Sequence, residues 1–119
     1  PADAFFEWTH GASGAKTKFE FTVHDGELFG MAGLWSPWLN PRTGQWEHTF
    51  SILICEANEL MRPIHDRQPE ILAPREYSEY LAPSPRPPSH LLRILPGEEM
   101  KAEAVGEKKQ TQGHLFKAE

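Results

Sequence analysis

The chain has 119 residues, a net charge of −5, 39% apolar residues, 11 prolines, 9 glycines and one cysteine. That length supports one small core, the many turn-forming residues leave little room for long helices, and a lone cysteine excludes an internal disulfide framework. The acidic balance opposes strong sequence-independent attraction to nucleic-acid phosphates, although a basic groove on an acidic body is compatible with it. No apolar run approaches the ~20 residues needed to cross a bilayer and no secretory leader opens the chain, so a cytoplasmic protein is the expectation.

Pro1 to Trp8 reads as a strand in which Phe6 and Trp8 share one face while Phe5 and Glu7 share the other. Glu7 is thus set among large aromatic rings. Lys18 to His24 alternates as a half-buried strand, and Asp25-Gly26 is a hairpin signal that predicts an antiparallel return over Leu28 to Trp35. Ser36 to Gly44 reads as a loop and Trp46 to Ile54 as the next strand, with Trp35, Trp38 and Trp46 expected in core or loop packing. Cys55, at the end of that apolar run, reads as a small buried hydrophobe.

Glu56 to Arg67 follows, and Pro69 opposes helix continuation, so His65, Asp66 and Arg67 are expected on a turn behind a hydrophobic strand. Pro74 to Leu81 has the form of a short helix with proline near its start. Ala82 to Pro88 reads as a stiff polyproline-like connector, and its Pro85-x-x-Pro88 as spacer before docking motif. His90 to Leu95 is expected to form one or two helical turns, Glu98 to Lys109 a charged surface strand or loop, and Gly113 to Glu119 an edge strand or frayed end.

Motifs of other chemistries are missing. The six histidines are scattered with no H-E-x-x-H spacing, and Gly11-Ala12-Ser13-Gly14 fails the G-x-S-x-G pattern of a nucleophile elbow. No phosphate-cradling loop or dinucleotide fingerprint occurs, so neither a metal nor a cofactor is expected.

In chain order, Phe5-Phe6-Glu7-Trp8, the Phe29 to Trp35 strand, the Thr49 to Ile54 strand, Glu56-Ala57-Asn58, Ile64-His65-Asp66-Arg67 and Pro69-Glu70-Ile71-Leu72 resemble the SRAP family. This is the SOS-response-associated peptidase fold of proteins that shield abasic sites in single-stranded DNA. The resemblance covers residues 1 to 82 well and extends more loosely to Phe116. It implies an α+β fold, mainly antiparallel sheet with a few short helices, in a single SRAP-like domain over residues 1–119. The chain looks like the C-terminal portion of such a domain, lacking its N-terminal strands. Family members act through a cysteine at the mature N-terminus, helped by an asparagine further along. Both would lie upstream of Pro1, and Cys55, where many relatives have threonine, cannot replace that nucleophile.

The function implied is covalent capture of abasic sites in single-stranded DNA as a thiazolidine, within the DNA-damage response. Carried over residue by residue, His65 would handle the protons of sugar ring opening, and Glu7 those of Schiff-base formation and capture. Trp8 would stack beside the lesion, Arg67 would hold a flanking phosphate, and Asn58 would brace the turn. Four of these have a structural alternative: an ion pair with Arg67 or a cap on a backbone amide near the sheet edge for Glu7, a hydrogen bond to Asp66 or a carbonyl for His65, an ion pair with Asp66 or Glu70 for Arg67, and core packing for Trp8. The expected partner is single-stranded DNA with abasic sites, bound by a monomer without membrane contact and associated with the nucleoid when on DNA. The rival readings are a cysteine-type peptidase acting on its own N-terminus or on other proteins, and a non-catalytic or partner-binding remnant.

Overall fold

The computed structural model describes residues 1–12 and 14–106, so the expectations for residues 107–109 and Gly113 to Glu119 lie outside it. The fold is α+β and mainly antiparallel, as the resemblance implied. The strands are β1 (Phe5–His10), β2 (Lys16–Val23), β3 (Gly30–Met31), β4 (Gly33–Leu39), β5 (Trp46–Ile52), β6 (Ile54–Glu56), β7 (Arg67–Pro69), β8 (Ile71–Leu72) and β9 (Met100–Ala104). Among the described residues one short α-helix, α1 (Tyr77–Leu81), follows a single turn at Pro74–Glu76.

β1, β2 and β9 form a sheet in that spatial order, with Glu7 opposite Phe19 and Trp8 opposite Lys18. Its inner face supplies Phe21 and Val23 to a core completed by Phe29, Met61, Ile71, Leu95 and Met100. Phe5 stacks on Phe21 at 5.0 Å and meets Phe29 edge-on at 6.4 Å, which fixes the inner side of β1.

The remaining strands are joined at a three-way backbone junction. The Ala32 N–H donates to Glu70 O at 2.8 Å, the Leu53 N–H to Ala32 O at 2.9 Å, and the Glu70 N–H to Leu53 O at 2.9 Å. These residues separate β3 from β4, β5 from β6 and β7 from β8. At this triangle each strand leaves one partner for another: β3 pairs β8, β4 pairs β5, and β6 pairs β7. Each polar group that changes partner stays satisfied, as burial of the fully enclosed Ala32 requires. The helix is pinned to the same region, because the Gly30 N–H donates to Tyr77 Oη at 2.9 Å and Tyr80 Oη donates to Gly33 O at 2.8 Å. A Cβ on Gly30 would lie 2.8 Å from the Tyr77 ring.

Several expectations are corrected. Asp25-Gly26 does turn the chain, with φ of 47° at His24, 59° at Asp25 and 87° at Gly26, but it joins no hairpin. Both edges of β2 are already taken, by β1 and β9, so the strand after the turn must pair elsewhere. The hairpin partner of β2 is β1. Leu28 to Trp35 and Trp46 to Ile54 are each interrupted, at Ala32 and Leu53, by the junction. The expected loop over Ser36 to Gly44 shrinks, since β4 continues to Leu39 with Pro37 opposite His48; a two-stranded ribbon is all edge and tolerates proline. Trp35, Trp38 and Trp46 are exposed, at 72%, 47% and 69%, because no described residue covers that ribbon. After the single turn Ser89–Leu91, the chain runs without helix to Pro96.

Ala32→Leu places three extra carbons inside the junction and is expected to lower stability by about 1–3 kcal/mol, the usual cost of overpacking. The midpoint of urea unfolding measures it, and a neutral result would mean the junction is loosely packed.

Candidate functional site

Glu7 reaches the site from the inner face of an edge strand. Along β1, Phe5, Glu7 and Thr9 are half-buried while Phe6, Trp8 and His10 are exposed, the alternation expected of a strand with one face on the core.

His65 arrives from a tight turn built on Asn58. The Asn58 side chain is buried; its Oδ1 accepts the Met61 N–H at 2.9 Å and its Nδ2 donates to Leu95 O at 2.8 Å. Its own N–H donates to Gln68 Oε1 at 2.8 Å, and its carbonyl accepts the Arg62 N–H at 2.9 Å. The Met61 carbonyl then accepts the N–H groups of Ile64 and His65, at 2.8 and 2.9 Å. Met61, with no exposed surface, anchors this loop in the core. Asn58 thus links the Met61 and Arg62 N–H groups to the Leu95 carbonyl.

The Arg67 N–H donates to His65 Nδ1 at 3.1 Å. In the neutral ring Nδ1 is thus the acceptor and Nε2 carries the proton. Nε2 faces Glu7 Oε2 at 3.9 Å, with the two side chains 39% and 30% exposed. That separation is too long for a direct hydrogen bond; it leaves an imidazole N–H and a carboxyl group facing each other at a solvent-reachable opening. Asp66 Oδ1 lies 3.4 Å from Nδ1, where two acceptors meet without a proton between them. The turn ends at Arg67, which opens β7 opposite Glu56 instead of lying in the turn as expected. Its side chain is exposed and makes no ion pair among the described residues.

Trp8 is brought to the same strand as Glu7 but to its other face. It is 42% exposed beside Phe6 at 40%, and the Lys18 Nζ lies 4.4 Å from the Phe6 ring centre and 5.5 Å from that of Trp8. Phe6 and Lys18 escaped the sequence reading, although the antiparallel register places Lys18 directly opposite Trp8. An apolar cavity of about 470 Å³ between Phe29, Met31, Leu72, Tyr77 and Tyr80 includes neither Glu7 nor His65.

Behind β7 lies a buried polar group that the sequence reading also missed. Glu70 is 7% exposed and accepts the Arg93 N–H at 3.2 Å. Burial raises its carboxyl above the ordinary value of 4.5, against the lowering effects of the Arg93 N–H and the Cys55 thiol. Burial likewise pushes the Cys55 thiol up to about 11, assisted by the adjacent Glu70 charge and hydrogen bond. A thiol so held stays protonated at neutral pH and is a poor nucleophile.

A mainly antiparallel α+β domain that sets a glutamate on an edge strand against a turn histidine defines the structural class. Residues 1–110 match the family model for the SOS response associated peptidase (SRAP). The chain belongs to this family. It is 37% identical over 95 residues to the abasic site processing protein YoaM of Bacillus subtilis, spanning 80% of this chain and 41% of that protein. It is 36% identical over 95 residues to the abasic site processing protein YoqW of Bacillus phage SPbeta, spanning 80% and 42%. A solved protein from Bacteroides thetaiotaomicron superposes with a TM-score of 0.78 at 32% identity, over 88% of this chain and 47% of the other. One from Bordetella bronchiseptica gives 0.75 at 30% identity, over 89% and 53%. The chain thus spans about two fifths of the curated relatives it matches.

Asn58→Ala strands the Met61 N–H and leaves the Leu95 carbonyl only its 3.5 Å hydrogen bond from Gln68 Nε2, and is expected to cost about 1–3 kcal/mol. Chemical denaturation measures the loss, and retention of full stability would remove Asn58 as the brace. Glu70 gives a pH signature. Its folded value is raised, so the stability from the neutral carboxyl is complete below 4.5 and is lost as pH rises through the folded value. Glu70→Gln, which keeps an acceptor for Arg93, is expected to flatten that decline in unfolding midpoints taken across acidic to neutral pH. Parallel curves for the two proteins would contradict it.

Proposed function

We propose that this chain supplies the proton-transfer half of a site that captures abasic sites in single-stranded DNA. The observation that carries the reading is the His65–Glu7 pair, with His65 Nε2–H turned towards Glu7 by the Arg67 N–H on its other nitrogen. The names of the relatives YoaM and YoqW, both abasic site processing proteins, support the substrate class.

The nucleophile in this reading is a cysteine at the domain's mature N-terminus, which the 119 residues do not include. An abasic sugar reacts in its ring-opened form, so a proton must leave its hydroxyl and another must reach the ring oxygen; His65 serves both needs near neutral pH. The α-amine of the cysteine then adds to the aldehyde carbon, water leaves, and the sulfur adds to the resulting imine carbon. One water is lost overall and a thiazolidine closes. Glu7 gives and takes the protons of these later steps, across the same opening. Arg67, exposed and without an ion-pair partner among the described residues, is available to a phosphate beside the lesion. Trp8 offers an exposed ring face to a neighbouring base.

Incubation of the intact protein with a single-stranded oligonucleotide bearing one abasic site is the test. An adduct that survives denaturing electrophoresis without a reducing agent is expected, formed about 10²–10⁴-fold more slowly by His65→Ala or Glu7→Gln. Processing of peptides with no DNA adduct would replace this reading with the cysteine-type peptidase. Weak, salt-insensitive DNA affinity with neither product would leave a non-catalytic remnant.

A further inference from the structure

We infer that Lys18 and Phe6, with Trp8, form a second contact surface for single-stranded DNA on the outer face of the β1–β2 hairpin, separate from the Glu7–His65 face. This rests on the DNA reading above and adds to it the track of the strand away from the lesion.

Register and alternation place a stripe on that face. Starting near the hairpin turn, His10 lies opposite Lys16, Trp8 opposite Lys18, and Phe6 opposite Glu20. From Trp8 to Phe19 the sequence contains two lysines and a histidine and no acidic residue, in a chain whose net charge is −5. The acids of the face, Glu20 and its cross-strand neighbour Glu103, lie towards β9, so the stripe is polarised, basic at the turn and acidic away from it. Two large rings, 40% and 42% exposed, stand side by side with the Lys18 ammonium within 5.5 Å of both. Bases stack on such rings irrespective of sequence, while the flexible lysine whose ammonium lies over them can swing to the phosphate between two stacked bases. A protein-binding patch of this size would favour apolar continuity; here the rings of β1 run beside the lysines of β2 near the turn, with Trp8 opposite Lys18 and His10 opposite Lys16, a pairing of stacking surface and positive charge that suits a nucleic-acid backbone.

The experiment uses the protein with an undamaged fluorescent oligothymidylate, so that affinity is read without abasic-site chemistry. Lys18→Gln is expected to weaken binding and to reduce the slope of log affinity against log salt by about 0.7, one single-strand phosphate contact, while Lys18→Arg keeps both. Phe6→Leu, which retains apolar volume but no ring face, is expected to weaken binding at least about fivefold. Unchanged affinity and slope in Lys18→Gln and Phe6→Leu would overturn the inference, and a lowered melting temperature alongside would mark the rings as covered packing. Adduct formation that fails while these losses appear overturns only the capture chemistry; adduct formation that proceeds while they are absent overturns only this surface.

Discussion

Three main-chain hydrogen bonds among Ala32, Leu53 and Glu70 govern the arrangement of the molecule. Each residue donates to one neighbour and accepts from the other, so three strands can exchange partners without leaving a buried amide unpaired. Without such closure, interrupting three strands at one place would strand several backbone groups, each costing about 1–3 kcal/mol. With it, short pairings of two or three residues suffice on either side. The close approach requires a small residue at Ala32, and brings the carboxyl of Glu70 inside the fold beside Cys55 and Arg93.

The junction positions the site through β7. Glu70 directly follows β7, Gln68 within that strand holds the Asn58 N–H, and Asn58 in turn shapes the loop that delivers His65. The same strand begins at Arg67, whose N–H orients the His65 ring. Ring orientation, tautomer and loop shape thus descend from one pairing of β6 with β7. Glu7 comes from the other sheet, held by the Phe5–Phe21 stack. The opposed pair therefore spans two separately braced elements, and neither side chain depends on the other for its position. The 3.9 Å gap follows from that: the geometry is set by the scaffold and not by an ion pair closing on itself.

Strand alternation made much of this legible. Period two put Glu7 and Phe5 on one face and Trp8 and Phe6 on the other, and both placements hold. The ordered motifs also led to Glu7, His65 and Asn58, which the structure brings into one opening and its supporting turn. Pairing partners were less legible. Asp25-Gly26 has hairpin chemistry, but whether the next strand pairs with β2 depends on the competition from β1 and β9, distant in sequence. The junction is invisible for a related reason, since it is made of backbone groups common to every residue. Exposure of Trp35 and Trp46 could not be read either: alternation reports which residues share a face, not whether another layer lies over it.

In the proposed reading a single edge strand carries two kinds of chemistry, separated by its pleat. Glu7 points inward, where core packing limits its motion and a histidine faces it; Phe6 and Trp8 point outward, where ring faces remain accessible. Proton transfer needs fixed groups at about hydrogen-bond range, whereas gripping a flexible strand needs exposed surface tolerant of sequence. Placed on one face, the two demands would compete, because burial that holds a carboxylate would also hide the rings. Successive residues of a β-strand resolve that conflict at no cost in length, and a strand of nucleic acid crossing the edge of β1 would meet both faces. Under the proposed reading the overall charge of −5 is compatible with such a contact, because Lys16 and Lys18 gather positive charge on the outer face near the hairpin turn, while Glu20 and Glu103 lie further from that turn.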